Sequence, residues 1–222
     1  MREKVEVTEV KIRWLGHSCF CFVSQDGTRI VTDPYDEGTG YVLPTVEADY
    51  TSVSHDHFDH SSTCAVGGRP QLITERGEFR LGDISVRGIS TFHDDLGGIR
   101  MGPNTVYCFE IDGIRLCHLG DLGHLLNSQQ RAEIGKVDIL LIPVGGTYTL
   151  DAKAAVCVCQ QLAPRVIIPM HYRTPSLAFP LDTVDSFLKE MGGGHYAHSS
   201  TVELDKQDLL SKINHVLVLD CP

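Results

Sequence analysis

An α/β fold of mixed sheets covered by helices on their outer faces is what this sequence predicts. Two observations carry that reading. The first half alternates apolar and polar residues with the two-residue period of half-buried strands, while beyond about residue 120 short all-apolar runs alternate with stretches of helical period. In addition, the punctuation between segments is of the right kind, with Asp-Gly pairs between strands and Asp at the start of helical stretches.

Element by element, Val5, Val7, Val10, Ile12 and Trp14 lie on one face of a first strand, followed by a strand over 19–23. Asp26-Gly27 turns the chain into a third, over 29–32, and this opening third reads as antiparallel sheet. A β-rich run over 50–54 comes next, then strands over 71–74, 84–91, 104–111 and 114–119, the last two joined by Asp112-Gly113 as a tight hairpin. A short helix is expected over 128–134, a buried strand over 137–144, and a helix from Asp151 as N-cap to Leu162. Residues 165–170 form another buried strand, Asp182 caps a helix reaching Met191, and a last strand covers 216–219. The irregular stretches 34–47, 94–103 and 172–181 are long for a compact fold, and such loops more often line a functional site.

The 222 residues fit a single domain over 1–222, with no composition shift that marks a linker. Net charge is −10, and Lys and Arg are scattered singly, which argues against long nucleic acid as a partner. No apolar stretch approaches the roughly 20 residues of a membrane helix, and the acidic N-terminus has no signal-peptide core, so the chain is expected to be soluble, cytoplasmic and without membrane contact. Eight cysteines occur, with Cys19/Cys21 and Cys157/Cys159 spaced i,i+2 and no C-x-x-C, so they are read as reduced and mostly core residues, with Cys64 a reactive or ligating thiol or, more often for a free cysteine, a buried hydrophobe.

Chemistry concentrates in His55-Asp56-His57-Phe58-Asp59-His60, three imidazoles and two carboxylates directly after a strand. In extended chain, residues two apart face the same way, so His55 and His57 can close on one ion, and a turn at Phe58 aims Asp59 and His60 at a neighbouring one. A pair of ions needs further ligands. His93, Asp121 and His171 each sit at the end of a predicted strand, where a sheet can converge side chains on one spot. His118 and His124 bracket Asp121 and are read as outer hydrogen-bonding partners or proton carriers, with His124 assigned to catalysis; His17 and Tyr172 are weaker candidates. Arg100 offers a planar fork for an anionic substrate, and Gly145-Gly146-Thr147-Tyr148 offers N–H groups near a leaving group or simply a strand-to-helix turn.

The ordered set His55 to His60, His93, Gly120-Asp121 and Met170-His171-Tyr172 resembles the successive metal motifs of the metallo-β-lactamase superfamily. Trp14-Leu15-Gly16-His17-Ser18-Cys19-Phe20, Thr32-Asp33-Pro34-Tyr35 and Pro143 to Thr149 look like its short single-domain hydrolases related to the ascorbate-phosphate lactonase branch. The resemblance implies a four-layer αββα fold of two mixed sheets between helices. It implies that His55, His57 and His93 bind a first ion, that Asp59, His60 and His171 bind a second, and that Asp121 bridges them. Asp33 matches the aspartate that supports the histidine loop by hydrogen bonds, and Asp56 and Asp94 are the other acceptors near the histidines. His57 departs from the oxygen-reductase branch, which has Glu there, and no appended flavodoxin or nuclease domain is expected.

Nitrogen-rich ligation suits Zn2+, two per chain, with Mn2+, Fe2+ or Ni2+ also compatible. Two ions about 3.5 to 4 Å apart share a water, lower its pKa towards 7 and present hydroxide, while Asp59 orients it. The expected activity is hydrolysis of a small ester, lactone, amide or phosphodiester. A nucleotide phosphodiesterase and a non-catalytic metal-binding or regulatory protein are the alternatives.

Overall fold

A computed structural model describes residues 9–222, so Val5 and Val7 lie outside the described residues. Strand β1 (Glu9–Gly16) buries Val10, Ile12 and Trp14 and exposes Glu9 and Lys11, the period-two pattern of its sequence. In β2 (Cys19–Val23) the same alternation is masked because both faces are covered. Phe20 and Phe22 enter the main core, while Cys19 and Cys21 enter a second apolar cluster with Val31, Tyr35 and Tyr41. β3 (Arg29–Thr32) splits likewise, Ile30 to one side and Val31 to the other.

β1, β2 and β3 pair antiparallel as expected. β4 (Tyr50–Ser52) and β5 (Gln71–Ile73) then add in parallel, so the first sheet is mixed rather than purely antiparallel. The long 33–49 and 53–70 crossovers make this possible, since parallel neighbours cannot be joined by a hairpin. The sheet's other edge is β13 (Thr201–Asp205), antiparallel to β1 and not foreseen from the sequence.

The second sheet opens with β6 (Gly77–Leu81), β7 (Ile84–Phe92), β8 (Pro103–Ile111) and β9 (Ile114–His118), all antiparallel. Onto β9 are added β10 (Ile139–Pro143), β11 (Val166–Met170), β14 (His215–Val218) and β12 (His195–Tyr196) in parallel. Among the described residues the first sheet has order β13-β1-β2-β3-β4-β5 and the second β12-β14-β11-β10-β9-β8-β7-β6. Phe22 meets Phe109 edge to face at 5.7 Å across the seam between them.

Helix α1 (Ser128–Ile134) starts on an Asn127 capping box closed by Gln130 and packs on β7. In α2 (Ala152–Leu162), Asp151 Oδ1 accepts the Ala154 N–H at 2.8 Å, and Ala155, Val158, Cys159 and Leu162 form the buried stripe. α2 rests on β10 and on α3 (Val184–Met191). The cap of α3 is Thr183, not Asp182. Asp182 instead latches two loops through its backbone, donating to Gly145 O and accepting from Arg173 N–H. A short α4 (Lys206–Leu210) lies against β13. No helix among the described residues is long and apolar enough to cross a membrane, and all eight cysteines are free.

Candidate metal centre

Every candidate donor leaves the end of a strand at one edge of the double sheet. β4 delivers His55 through Val53 and Ser54. The chain then folds back in a tight turn in which His60 and Ser61 both donate their N–H to His57 O at 2.9 Å, and this turn brings Asp59 and His60 to the His17 and His171 side while the His60 ring stays 4.3 Å from that of His55. His93 follows β7, Asp121 follows β9, and His171 follows β11. Donor atoms of His55, His57 and His93 lie within 4.8 Å of one another, as do those of His17, Asp59, His60 and His171, and those of His55, His60 and Asp121.

Asp121 stands between the two groups. Its Oδ2 lies 3.1 Å from His93 Nε2, 3.2 Å from His60 Nε2, 3.2 Å from His171 Nε2 and 3.9 Å from His55 Nε2. Burial alone would raise the Asp121 carboxyl, but His171 and His60 beside it hold it well below the usual carboxylate range. The turn that presents it is built for close approach. Asp121 N–H donates to Asn104 Oδ1, and a Cβ on Gly120 (φ 54°) would stand 2.4 Å from that same oxygen and 2.6 Å from Ser54 Cβ.

Asp33 supports the histidine loop from beneath. Its Oδ1 accepts Ser54 N–H at 2.8 Å, and its Oδ2 accepts Ser54 Oγ–H at 2.6 Å and His60 Nδ1–H at 2.8 Å. With its hydrogen given to Asp33, Ser54 Oγ accepts His55 Nδ1–H at 2.9 Å. Both imidazoles thereby keep Nδ1 turned to these partners and Nε2 pointing into the site. Burial alone would lower the His60 imidazole, but the carboxylates of Asp121 and Asp33 outweigh it and hold His60 well above the ordinary imidazole range. Asp33 is held at φ 43°, so the turn before Pro34 and the supporting role are one feature.

The donor set fits divalent cations on the evidence of its own unpaired atoms. His60 Nε2 and Asp121 Oδ1 are buried without a hydrogen-bond partner, and His55 Nε2 faces His57 Nδ1 at 3.0 Å. Burial and the neighbouring His60 push His55 down to about 3, so it stays neutral, the form in which an imidazole can ligate. Such an array of nitrogen lone pairs and carboxylate oxygens, most of it on buried side chains, is compensated by positive charge.

His17 joins this group, although its position in the sequence gave it little weight. In the connection between β1 and β2, at φ 51°, it brings Nε2 to 3.2 Å from Asp59 Oδ2, and its carbonyl accepts from Trp14 Nε1–H and His171 N–H. Burial and the nearby His171 push His17 down to about 4. Burial raises the Asp59 carboxyl, and the bond from His17 and the charge of His60 overturn that and hold it far below its ordinary value. The signal available in the sequence was Gly16-His17, a glycine and a histidine together at a strand end.

Other candidates stand outside the donor group. His118 Nδ1 accepts Gly120 N–H, and its Nε2–H donates to Ser18 O at 2.8 Å, so this buried imidazole ties the two sheets together and braces the Asp121 turn. His124, assigned to catalysis from the sequence, has both ring nitrogens bound to backbone, Nε2 accepting from Phe92 N–H and Nδ1–H donating to Leu125 O, and it does not line the cavity. Asp94 is committed to its loop. It accepts the N–H groups of Leu96, Gly98, Arg100 and Met101 at 2.8 to 2.9 Å, which overturn the effect of burial and hold its carboxyl well below the usual range. Arg100 contributes its backbone to that loop and no side chain to the cavity. The N–H groups of Gly145 and Gly146 are bonded to His171 O and Leu150 O, so the glycines serve the turn, while Tyr148 reaches the cavity.

The donors open onto a cavity of about 430 Å³, lined also by Asp56, Phe58, Met101, Tyr148 and Phe179. Comparison with known proteins agrees with this geometry. The profile of the beta-lactamase superfamily domain matches residues 11–171. A UPF0173 protein of Pyrococcus furiosus is 34% identical, over 82% of this chain and 90% of its own length. A UPF0173 metal-dependent hydrolase of Carboxydothermus hydrogenoformans is 32% identical, over 74% of this chain and 85% of its own. A crystal structure from Thermotoga maritima, described as a proposed Zn-dependent hydrolase of the metallo-β-lactamase superfamily, is 39% identical with a TM-score of 0.79, covering 96% of this chain and all of that one. With its two mixed sheets and its strand-end donors, the chain belongs to the metallo-β-lactamase superfamily.

Proposed function

We propose that the protein is a binuclear metal-dependent hydrolase of a small ester, lactone, amide or phosphodiester, with two divalent ions, Zn2+ foremost, as its cofactors. The observation that carries this reading is Asp121 Oδ2, a single carboxylate oxygen within 3.2 Å of His60, His93 and His171 and 3.9 Å from His55. His55, His57 and His93 would hold one ion, Asp59, His60 and His171 the other, and Asp121 both. Relatives described as metal-dependent hydrolases support the same conclusion. The donors face a cavity of about 430 Å³, whereas a structural ion is closed off by protein ligands.

When bound, the ions supply a Lewis acid for the substrate oxygen and a water of lowered pKa as nucleophile near neutral pH. The side chains do the rest. Asp59, kept ionised by His17 and His60, accepts a hydrogen bond from the attacking water and aims it. Asp33 and Ser54 engage Nδ1 of His60 and His55 and so keep Nε2 of each pointing into the site. Tyr148, a half-exposed residue, carries the one hydroxyl among the lining residues and could donate to a leaving group. We assign the protein to the cytoplasm, where its eight free cysteines stay reduced.

Elemental analysis of protein purified from zinc-supplemented medium, run beside an ester, lactone and phosphodiester screen, tests the reading. Two equivalents of metal and a loss of roughly a hundredfold or more in kcat for Asp59→Ala are expected. Metal-loaded protein inert on every class, or an Asp59→Ala variant as active as wild type, overturns it.

A further inference from the structure

The non-reacting part of the substrate must be gripped by the walls of the cavity, and these walls are of one character. Beyond the donors and Asp56, they consist of Phe58, Met101, Tyr148 and Phe179, with no Lys or Arg in the lining. Phe58 is 50% exposed and lines the cavity, so its ring offers an apolar face to whatever enters. Its position is set, because its ring lies against the backbone of Gly38, where a Cβ would come within 3.0 Å of it. Phe58 meets Phe179 edge to face at 5.9 Å, and Phe179 meets His17 edge to face at 5.7 Å.

An unbroken aromatic surface thus runs from the His17–Asp59 end of the donor group to the mouth of the cavity. The loop that carries Phe179 is tied to the 36–40 segment, with Ala178 N–H donating to Thr39 O and a Cβ on Gly40 only 2.3 Å from Ser176 O, and that segment is tied to Phe58 through Asp36 N–H, which donates to Phe58 O at 3.2 Å. Held by the chain's own hydrogen bonds and ring contacts, this wall is preorganised for binding. Recognition of phosphate or carboxylate away from the metals is strongest with Arg, Lys or a helix N-terminus, and no Arg or Lys lines this cavity. What stands at the mouth here is the exposed carboxylate of Asp56.

Resting on the hydrolase reading, we propose that the substrate carries an uncharged apolar acyl or aryl group next to the bond cleaved. That group is seated against Phe58 and Phe179, and substrates with a second anionic group, nucleotides among them, are discriminated against. Phe58 and Phe179 are then specificity residues, in contact with substrate but not with the reacting atoms.

Binding and turnover are measured on the same zinc-loaded protein. Calorimetry compares acetohydroxamic acid, phenylacetohydroxamic acid and succinic monohydroxamic acid, which share a chelating head and differ in an apolar or an anionic tail. Hydrolysis compares p-nitrophenyl acetate, p-nitrophenyl phenylacetate and bis(p-nitrophenyl) phosphate. Phenylacetohydroxamate is expected to bind roughly tenfold or more tighter than acetohydroxamate, with the succinyl compound weakest, and the phenylacetate ester to have the highest kcat/KM. Phe58→Ala and, to guard against misfolding at a more buried position, Phe179→Leu should each shrink the phenylacetyl-to-acetyl ratio, mostly through KM. Equal affinity for the three hydroxamates, tightest binding of the succinyl compound, or a ratio untouched by both substitutions overturns the inference. Failure of all three hydrolyses with the hydroxamate preference intact removes the hydrolase reading and leaves the apolar grip standing.

Discussion

Histidine 17 is the residue whose role changed most between sequence and structure. A histidine beside a glycine at a strand end is unremarkable chemistry, and its neighbours Asp59 and His171 are 42 and 154 residues away along the chain. Only the meeting of the β1–β2 connection with the end of β11 reveals it. The 55–60 string was legible for the opposite reason, since its donors are contiguous and a single turn arranges them. Removing the His17 ring leaves Asp59 without its partner, so His17→Ala is expected to lower kcat/KM or metal affinity roughly 10- to 100-fold. Activity assays paired with chelator competition read both, and a variant matching wild type in each contradicts the role. His118 yields a prediction in pH. Burial holds its pKa below the ordinary value, and its Nδ1 must stay unprotonated to accept Gly120 N–H. The unfolded chain therefore takes up a proton as pH falls below about 6.5 while the folded imidazole refuses it, so stability drops with falling pH. The margin of wild type over His118→Gln is expected to shrink between pH 7.5 and 5 in denaturant melts. An equal margin at both ends would show that this titration contributes nothing.

At the level of elements, what the sequence disclosed followed from burial. β7, β8, β10 and β11 have strong apolar patterns because at least one face is covered, and α2 carries both its cap and its stripe in plain view. β12, with both residues exposed, and β13, with one buried position, have no such pattern, and the partner of β13 is β1, at the other end of the described residues. Asp182 misleads because an aspartate before a helical stretch is the commonest cap, whereas here it joins the 145 and 173 turns and Thr183 takes the cap. The Gly145 turn carries its own prediction. A Cβ there would lie 2.3 Å from His171 O, and His171 itself is held at φ 51°, so the added methyl must displace a donor. Gly145→Ala should cost about 1–3 kcal/mol, seen as a melting point lower by roughly 2–4 °C per kcal/mol. Unchanged thermal stability would mean that the loop yields freely.

Taken as a whole, the molecule draws its donors from both sheets. His17 and His55 to His60 come from the first, and His93, Asp121 and His171 from the second. Bound ions would therefore cross-link the two halves at one edge, where among protein groups the His118 to Ser18 bond already does so. Stripping metal is expected to lower the melting temperature as well as abolish hydrolysis. An ion present at a hundred times its Kd adds about 2.7 kcal/mol, or roughly 5–10 °C for a chain of this size. Calorimetric scans with EDTA and after zinc is restored measure it, and superimposable scans would count against metal at the seam. The αββα layering was legible only through resemblance, because periodicity gives strands and helices but not which sheet each strand joins.

The carboxylate of Asp94 grasps the 96–101 segment by main-chain N–H groups alone. The shape of that segment is thus decoupled from the identity of most of its side chains, of which Leu96 and Ile99 point largely into solvent. Proline is barred wherever an N–H is spent, and Gly98, at φ 84°, is fixed by its backbone. The other positions can drift or be exchanged wholesale while the loop keeps its course. This gives the superfamily member a replaceable brim around a fixed basin, and a natural place to graft new selectivity without touching the ligands.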